Sequence, residues 1–392
     1  MQSIANLPVI GLDLAKSVFQ LHIVDADTGE IQRRQIKRAR LTEFFAKCVP
    51  SLVAMEACGA SHYWARTIRQ LGHEVRLLPA QHVKAFLLRD KTDAMDAQAI
   101  WVAAQQPHIQ SVPVKTERQQ ACMALHGMRR QLMKMRIMQT NALRGILAEF
   151  GIAIPVGHKQ LLKTIQGELA RAQQLDLLPS DLVISVQEQI KRIDALQSDI
   201  DSIAQRLLFM IREDRQMQAI RQIPGVGELG ASALVAAVGD FSAFKSGRQF
   251  ASWLGLTPRQ VGTGGKTQQL GISKRGDSYL RTLLIAGARA VIARSTKSKW
   301  IELLLERRHY NVVVVALANK IARTAWAVLA KGATFDQAKW NPQTPSRQKH
   351  RACTMARKAR FAGFGSRLRM HRHCMKHSGL NIGRLRQPAK RP

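Results

Sequence analysis

The 392-residue sequence has few cysteines, few acidic side chains and few aromatic ones. Its five cysteines stand at scattered positions without paired spacing, which excludes a disulfide framework and favours a reducing compartment. No charged N-terminal segment precedes an apolar core, so we expect no signal peptide. The longest apolar runs, such as 312–318, are too short to cross a bilayer. We therefore expect a cytoplasmic protein without a membrane partner.

The shortage of acidic residues is the most informative feature of the composition. Only 27 Asp and Glu stand against 60 Lys and Arg, which gives a net charge of +33. Such an excess predicts a polyanionic partner, and nucleic acid is the expected one. The length allows two or three domains, each with its own core.

Residues 1–110 alternate between strand and helix patterns and form the first predicted domain. The predicted strands are 10–14, 18–25, 30–36, 52–56 and 74–78. The predicted helices are 41–48, 62–71 and 92–105, the last with Thr92 as its N-cap. This order of three strands, a helix and alternating strands and helices is that of a ribonuclease-H-like fold of the α/β class. In that topology the fourth strand lies beside the first.

Four carboxylates are expected to meet at one end of this sheet. Asp13 lies on the first strand and Glu56 ends the fourth, while Asp93 and Asp96 share one face of the last helix. A lone buried Asp can instead form a structural salt bridge, and Asp93 and Asp96 can simply complement the helix dipole. Taken together, the four oxygen ligands favour a site for Mg²⁺ or Mn²⁺ that assists phosphoryl transfer.

Residues 115–215 lose strand signals and form a predicted basic helical region. One long helix over 118–150 carries the candidate nucleic-acid-binding residues Arg129, Arg130, Lys134 and Arg136. Farther on, Ile193, Ile200 and Leu207 occupy one heptad position and Leu196, Ile203 and Met210 the other. These heptads predict a coiled coil, either a hairpin within the chain or a dimer seam, or else a helix packed on its own domain.

Residues 216–337 form a third, mostly helical predicted domain. Gly225 and Gly227 lie in a short turn before a helix of small residues, which suggests a helix-hairpin-helix element that binds phosphate; a tight turn between packed helices is the alternative. A flexible glycine-rich loop is predicted at 258–266. Further candidate nucleic-acid contacts are Lys266 in this loop and Lys274 and Arg275 in the next turn.

Residues 338–392 form a basic tail that we expect to be disordered and to bind nucleic acid. Its segment 341–392 holds fourteen Lys and Arg and no acidic residue. The cluster from His371 to Cys374 lacks zinc-finger spacing, so we do not expect a metal there.

From residue 8 to 337 the chain resembles the insertion-sequence-110 transposases, in particular their 1111 subgroup. The stretches that carry the resemblance are G-L-D-L-A-K at 11–16, M-E-A-C-G at 55–59, K-T-D-A-M-D-A at 91–97, P-G-V-G at 224–227, L-G-I-S-K-R-G-D at 270–277 and A-L-A-N-K at 316–320. The resemblance implies a DNA recombinase that excises and inserts a mobile element. It also implies a guide RNA encoded by the element and an oligomer in which an acidic, RuvC-like site binds Mg²⁺.

The same resemblance implies a serine nucleophile in the C-terminal domain, and here the sequence departs from the family. The family pattern is roughly S-[S/T]-G-G-K, whereas this chain has Gly262 at the first position and Thr263 at the second. Either Thr263 replaces the serine, or the short loop aligns differently, or this copy is impaired. A hydrolytic RuvC-like nuclease and a nucleic-acid-binding remnant remain alternatives, while the high charge disfavours a sugar-kinase-like protein.

Overall fold

The computed structural model describes residues 7–25, 28–87, 92–294 and 298–340. The predicted tail from 341 on, with its His371 to Cys374 cluster, lies outside the described residues, as does Lys91 of the stretch at 91–97.

The N-terminal part is built on a five-stranded mixed sheet whose strands are β1 (Val9–Asp13), β2 (Val18–Val24), β3 (Ile31–Lys37), β4 (Leu52–Glu56) and β5 (Glu74–Leu78). The strand order is β3-β2-β1-β4-β5. Strand β1 is antiparallel to β2 and parallel to β4, so that Leu12 pairs with Met55. The predicted neighbourhood of the first and fourth strands is therefore present, and their carboxyl ends lie at one edge.

Four helices cover this sheet: α1 (Leu41–Lys47), α2 (Ser61–Gln70), α3 (Ala80–Val83) and α4 (Asp93–Ala104). Alternating side chains of β4 pack into two separate cores. Leu12 and Met55 belong to the core that includes residues of α1 and α2, whereas Ala54 packs with Ile100 of α4. The sheet thus has helices on both faces. Helix α4 carries Asp93 and Asp96 at its N-terminal end, next to β1.

The central region consists of α5 (Glu117–Glu149), α6 (His158–Gln174) and α7 (Ser180–Glu213). Helices α5 and α7 run antiparallel. Arg118 near the start of α5 pairs with Glu213 at the end of α7 at 2.7 Å, and Arg136 donates a hydrogen bond to Gln197. The heptad residue Ile200 is 3% exposed within this chain. Of the arrangements left open by the sequence, the structure therefore has the hairpin within one chain.

The C-terminal part contains the helices α8 (Arg215–Arg221), α9 (Glu228–Val238), α10 (Gly247–Trp253) and α11 (Ser278–Ala293), with a hairpin of β6 (Pro258–Thr263) and β7 (Lys266–Ile272) before α11. The predicted flexible loop at 258–266 is wrong in part, because most of it is β6. Gly264 and Gly265 form the turn with φ of 56° and 78°, which suits a two-residue hairpin turn. Every residue of β6 is exposed, so no apolar alternation marked the strand in the sequence.

A second compact unit, described by itself, contains α12 (Lys299–Leu305) and α14 (Gln337–Trp340), while α13 (Tyr310–Lys331) belongs to the main unit. Among the described helices, α13 is long and apolar enough by length and composition to cross a membrane. Residues along its length, including Leu317 and Ile321, are fully buried in the protein, and α13 packs on α10 and α11. This burial is that of a core helix.

Candidate active site

Three carboxylates converge where β1 meets the start of α4. One ligand oxygen from each of Asp13, Asp93 and Asp96 lies within 4.8 Å of the others. Asp13 is the last residue of β1, and Asp93 is the first residue of α4. The spacing of three residues between Asp93 and Asp96 places both on the same side of the helix, as predicted.

Glu56 is the fourth predicted acid and ends the strand next to β1. Because Leu12 pairs with Met55 in a parallel ladder, Glu56 follows at the level of Asp13. Glu56 lies outside the tight group of three, yet its charge contributes to raising the pKa of Asp13. The four predicted acids therefore share one edge of the sheet, with three of them in mutual reach.

Close backbone packing holds α4 over the site. A Cβ added to Gly11 would lie 2.3 Å from the carbonyl oxygen of Ala97 and 2.8 Å from Cβ of Trp101. The indole Nε1–H of Trp101 donates a hydrogen bond of 3.0 Å to the carbonyl of Val9. Thr92 caps the helix as predicted, since its side chain accepts from the Met95 amide. Glycine at position 11 thus allows the approach that brings the acids together.

Burial and neighbouring charges raise the pKa of Asp13 from 3.8 to about 6. Burial has the largest effect, followed by repulsion from Asp96, Asp93 and Glu56, while a hydrogen bond from the Leu14 backbone acts in the opposite direction. Among the described residues no Lys or Arg forms an ion pair with Asp13. Among the described residues, Asp13 therefore does not form the structural salt bridge that the sequence left open.

The donor set consists of carboxylate oxygens without histidine or cysteine. Such oxygen donors suit hard divalent cations, whereas zinc sites generally include nitrogen or sulfur ligands. A bound cation would offset the repulsion that raises the pKa of Asp13. The residues present therefore fit a divalent cation.

The predicted phosphate-binding turn has a clear packing role. Gly225 has a φ of +88°, and a Cβ there would lie 2.7 Å from Cδ1 of Ile321. A Cβ on Gly287 of α11 would lie 1.8 Å from the Gly225 carbonyl oxygen, so the two backbones touch. Gly227 is exposed and precedes α9, with no atom within 4 Å of an added Cβ. Gly225 therefore serves the tight turn, and Gly227 is the position open to a ligand.

The four basic residues predicted on α5 have different surroundings. Lys134 is exposed, and the exposed Arg130 places its guanidinium 5.4 Å from the ring centre of Tyr279. Arg129 and Arg136 are half-buried, each with a buried Nε that has no hydrogen-bond partner in the described part of the chain. Lys134 and Arg130 are thus the two that are open to a polyanion, while Arg136 also joins α5 to α7.

Thr263 lies at the tip of the β6–β7 hairpin, where it pairs with Lys266. Both residues are exposed. A Cβ on Gly262 would lie 2.7 Å from the Lys266 carbonyl oxygen. The hairpin therefore presents Thr263, while the position of the family serine has little room for a side chain.

Lys274 and Arg275 follow the hairpin in an exposed turn. Lys274 adopts a positive φ of 54°. The Arg275 carbonyl accepts a hydrogen bond of 3.1 Å from the guanidinium of Arg281 in α11. The side chains of Lys274 and Arg275 are both open to a polyanion.

The positioning role of Gly11 and Trp101 was not predicted from the sequence. A glycine inside an apolar strand is the available signal, because it often marks the close approach of another backbone. Nothing in the sequence pairs it with Trp101, which stands 90 residues later in a different element.

Two family models match this chain. A DEDD transposase model of the insertion-sequence-110 type covers residues 10–152, and a model described as the transposase IS116/IS110/IS902 family covers residues 217–304. The first match contains all four acids of the site. The second contains the Gly225 turn and the β6–β7 hairpin.

Relatives match over most of the chain. A "Probable family 20 transposase" of Pseudomonas aeruginosa is 46% identical over 332 residues, which are 83% of this chain and 98% of the relative. The transposase for insertion sequence element IS1328 of Yersinia enterocolitica is 38% identical over 85% of this chain and 99% of its own length. The transposase for IS1111A of Coxiella burnetii is 36% identical over 85% and 93%. The acidic edge of the sheet thus lies in a chain that belongs to the IS116/IS110/IS902 family of transposases and is a DNA transposase.

Proposed function

We propose that this transposase cuts and rejoins DNA strands with the carboxylate site of a RuvC-like, ribonuclease-H-like domain in residues 1–110. The observation that carries the proposal is the convergence of Asp13, Asp93 and Asp96 within 4.8 Å, with Glu56 ending the neighbouring strand. We assign 115–215 to a basic helical region, 216–337 to the transposase domain and 338–392 to a basic tail.

Mg²⁺, or Mn²⁺ in its place, is the cofactor that these oxygen ligands favour. Asp13, Asp93 and Asp96 would hold it, with Glu56 beside them. When bound, the cation stabilises the negative charge that develops on phosphate oxygens during phosphoryl transfer. The acids themselves provide a fixed negative site, and Asp13 must lose the proton that its raised pKa favours before it can serve as a ligand.

The nucleophile in this proposal is the hydroxyl of Thr263. Its oxygen attacks a DNA phosphorus and gives up its proton, and a phosphothreonine ester forms. The bond to the neighbouring nucleotide breaks, and the leaving oxygen of that nucleotide takes up a proton to become a free hydroxyl. The ester keeps the energy of the phosphodiester, so a new strand end can attack it and restore free Thr263 without ATP. Its exposed place at the hairpin tip supports this role, because a duplex can approach it.

The net charge of +33 supports a large nucleic-acid partner. We infer that the DNA comprises the element ends and the target. An RNA encoded by the element guides the choice of these DNA sites, and the protomers assemble as an oligomer. We place the protein in the cytoplasm at the nucleoid. Arg130 and Lys134 of α5, with Lys266, Lys274 and Arg275 around the hairpin, are the exposed contacts offered to these polyanions.

A RuvC-like nuclease that hydrolyses DNA is the second candidate. The specific observation in its favour is Gly262 at the family serine position, where an added Cβ would meet the Lys266 carbonyl oxygen at 2.7 Å. Such an enzyme would use the same acids and release free strand ends.

Element-end DNA incubated with the full chain, the RNA encoded by the element and Mg²⁺, then run on a denaturing gel, tests the proposal. We expect a strand that migrates with the protein, and its loss in Thr263→Ala. We expect Asp13→Asn and Glu56→Gln to abolish strand cleavage while nucleic-acid binding and folding persist. Free ends without an adduct would indicate the hydrolytic nuclease. Cleavage that survives both acid substitutions would refute the assignment of the site.

A further inference from the structure

A basic and aromatic pocket lies beside α1 and α2 and has no role in the mechanism above. We call it the α1–α2 pocket. Its volume is about 660 Å³, which is within the range of about 300–1,000 Å³ for ligand sites. The basic and aromatic residues of its wall are Lys16, Lys37, Arg38, Tyr63 and Trp64, and Thr42 adds a hydroxyl.

The pocket occupies the edge of the sheet that also carries the acids. Lys16 follows Asp13, the last residue of β1, by three residues. Tyr63 lies in the first turn of α2, the helix that follows β4 and Glu56. Val18 at the start of β2 pairs with Lys37 at the end of β3. The segments that leave the two acid-bearing strands therefore both contribute to the pocket wall.

The pocket is positively charged. Lys16, Lys37 and Arg38 are all exposed, and the structure pairs none of them with an acidic residue among those described. The wall itself includes no Asp or Glu. Three unpaired cations around one concavity favour an anionic ligand with more than one charge.

An aromatic platform completes the pocket. Trp64 packs edge-on against Phe19 with ring centres 5.3 Å apart, and the Arg38 guanidinium lies 5.3 Å from the Trp64 ring. Tyr63 is 52% exposed and meets Trp64 edge-on at 5.1 Å. The buried Nε1–H of Trp64 has no hydrogen-bond partner among the described residues. A fixed indole thus supports an exposed phenol ring, which leaves a flat surface for another ring.

We propose that the α1–α2 pocket binds an unpaired nucleotide of the DNA strand that the acidic site cuts. Lys16, Lys37 and Arg38 contact its phosphates, and its base stacks on Tyr63. Exposed aromatic rings beside a basic groove are the usual means of binding single strands without sequence preference. That the pocket binds a nucleotide follows from its own residues. That this nucleotide belongs to the strand being cut rests on the proposed function, because the pocket and the acids share one edge of the sheet.

Binding of a fluorescent single-stranded oligothymidylate to the full-length protein, followed by anisotropy in metal-free buffer, tests the pocket. We expect Tyr63→Ala to weaken binding by about 10-fold, because stacking of one base on an aromatic side chain has an effect of this order. Tyr63→Phe keeps the ring and should bind like the natural protein. Tyr310→Ala is the matched control, since Tyr310 is an exposed tyrosine of another helix, 42% exposed.

The charged part of the wall has a separate readout. Lys37→Ala should reduce the slope of log affinity against log salt by about 0.7, the value for one phosphate contact on a single strand. Unchanged affinity for the DNA probe in Tyr63→Ala would overturn the proposal, and so would a loss seen only with an RNA probe of matched length. Equal losses in Tyr63→Ala and Tyr310→Ala would also overturn it.

The test separates the pocket from the proposed chemistry. Asp13→Asn leaves every wall residue in place, so its binding of the probe should show the same dependence on Tyr63. Cleavage that persists in Asp13→Asn would refute the acidic site and leave the binding result standing. In the active protein, Tyr63→Ala should raise the KM for DNA more than it lowers kcat.

Discussion

Gly11 of β1 and Ala97 of α4 are in backbone contact: a Cβ on Gly11 would lie 2.3 Å from the Ala97 carbonyl oxygen. Because Asp93 and Asp96 occupy the first turns of the same helix, this contact sets how near they come to Asp13. Gly11 therefore allows the three acids to converge because it has no side chain.

We expect Gly11→Ala to push α4 away from β1 and to lower the free energy of unfolding by about 1–3 kcal/mol, as overpacking generally does. Urea denaturation measures this change, and Mn²⁺ binding should weaken with it. Gly167→Ala on α6 is the control, because nothing lies within 4 Å of its added Cβ. Equal stability of the two variants would contradict the close contact.

The raised pKa of Asp13, about 6 instead of 3.8, predicts a pH dependence of stability. Between these two values the folded state holds a proton that the unfolded state releases, so the free energy of unfolding of the metal-free protein falls as pH rises through this window. Asp13→Asn removes that contribution. It should be more stable than the natural protein by about 1 kcal/mol at about pH 8, and the difference should vanish near pH 4.

Thermal unfolding at several pH values without metal measures this difference. Addition of Mg²⁺ should stabilise the natural protein and leave Asp13→Asn nearly unchanged, because the variant lacks one of the three converging ligands. A constant difference across the pH range would mean that Asp13 is not the group that titrates.

Because Ile200 is buried, we expect a charged residue at this position to destabilise the hairpin of α5 and α7. Ile200→Asp places an unpaired carboxylate between α5 and α7 and should cost about 3–5 kcal/mol. Ile184→Asp on the same helix should cost less than about 0.5 kcal/mol, since Ile184 is 58% exposed. Circular dichroism during urea titration distinguishes them. Loss of an oligomer with full retention of folding in Ile200→Asp would instead indicate a seam between chains.

The hairpin tip gives a prediction about the missing serine. We expect Gly262→Ser not to increase the yield of protein-linked DNA, because its Cβ would meet the Lys266 carbonyl oxygen at 2.7 Å and disturb the ladder. Thr263→Ser, which keeps the hydroxyl and removes a methyl group, should retain the adduct or raise its yield. A large gain with Gly262→Ser would mean that the glycine impairs this copy.

The N-terminal elements could be read from the sequence because their apolar patterns match their burial. Strand β4 and strand β5 have the predicted bounds, and Thr92 is the predicted cap. Asp13, Asp93 and Asp96 could be grouped for the same reason, since strand order and helix periodicity together determine their positions.

Other features of the fold could not be predicted because they produce no periodic pattern in the sequence. The β6–β7 hairpin is exposed on both faces, so its strands lack apolar alternation. The heptads of α7 predict a buried face but do not say which helix covers it. The contact of Gly225 with Gly287 joins residues 62 positions apart, and only the folded chain brings them together.

The long helix α5 also sets a length. With 33 residues and a rise of 1.5 Å for each, it spans about 50 Å, which corresponds to about 15 base pairs of duplex at 3.4 Å each. Its partner α7 packs beside it. A duplex that lay along α5, as proposed, would therefore face the helix over about one and a half helical turns.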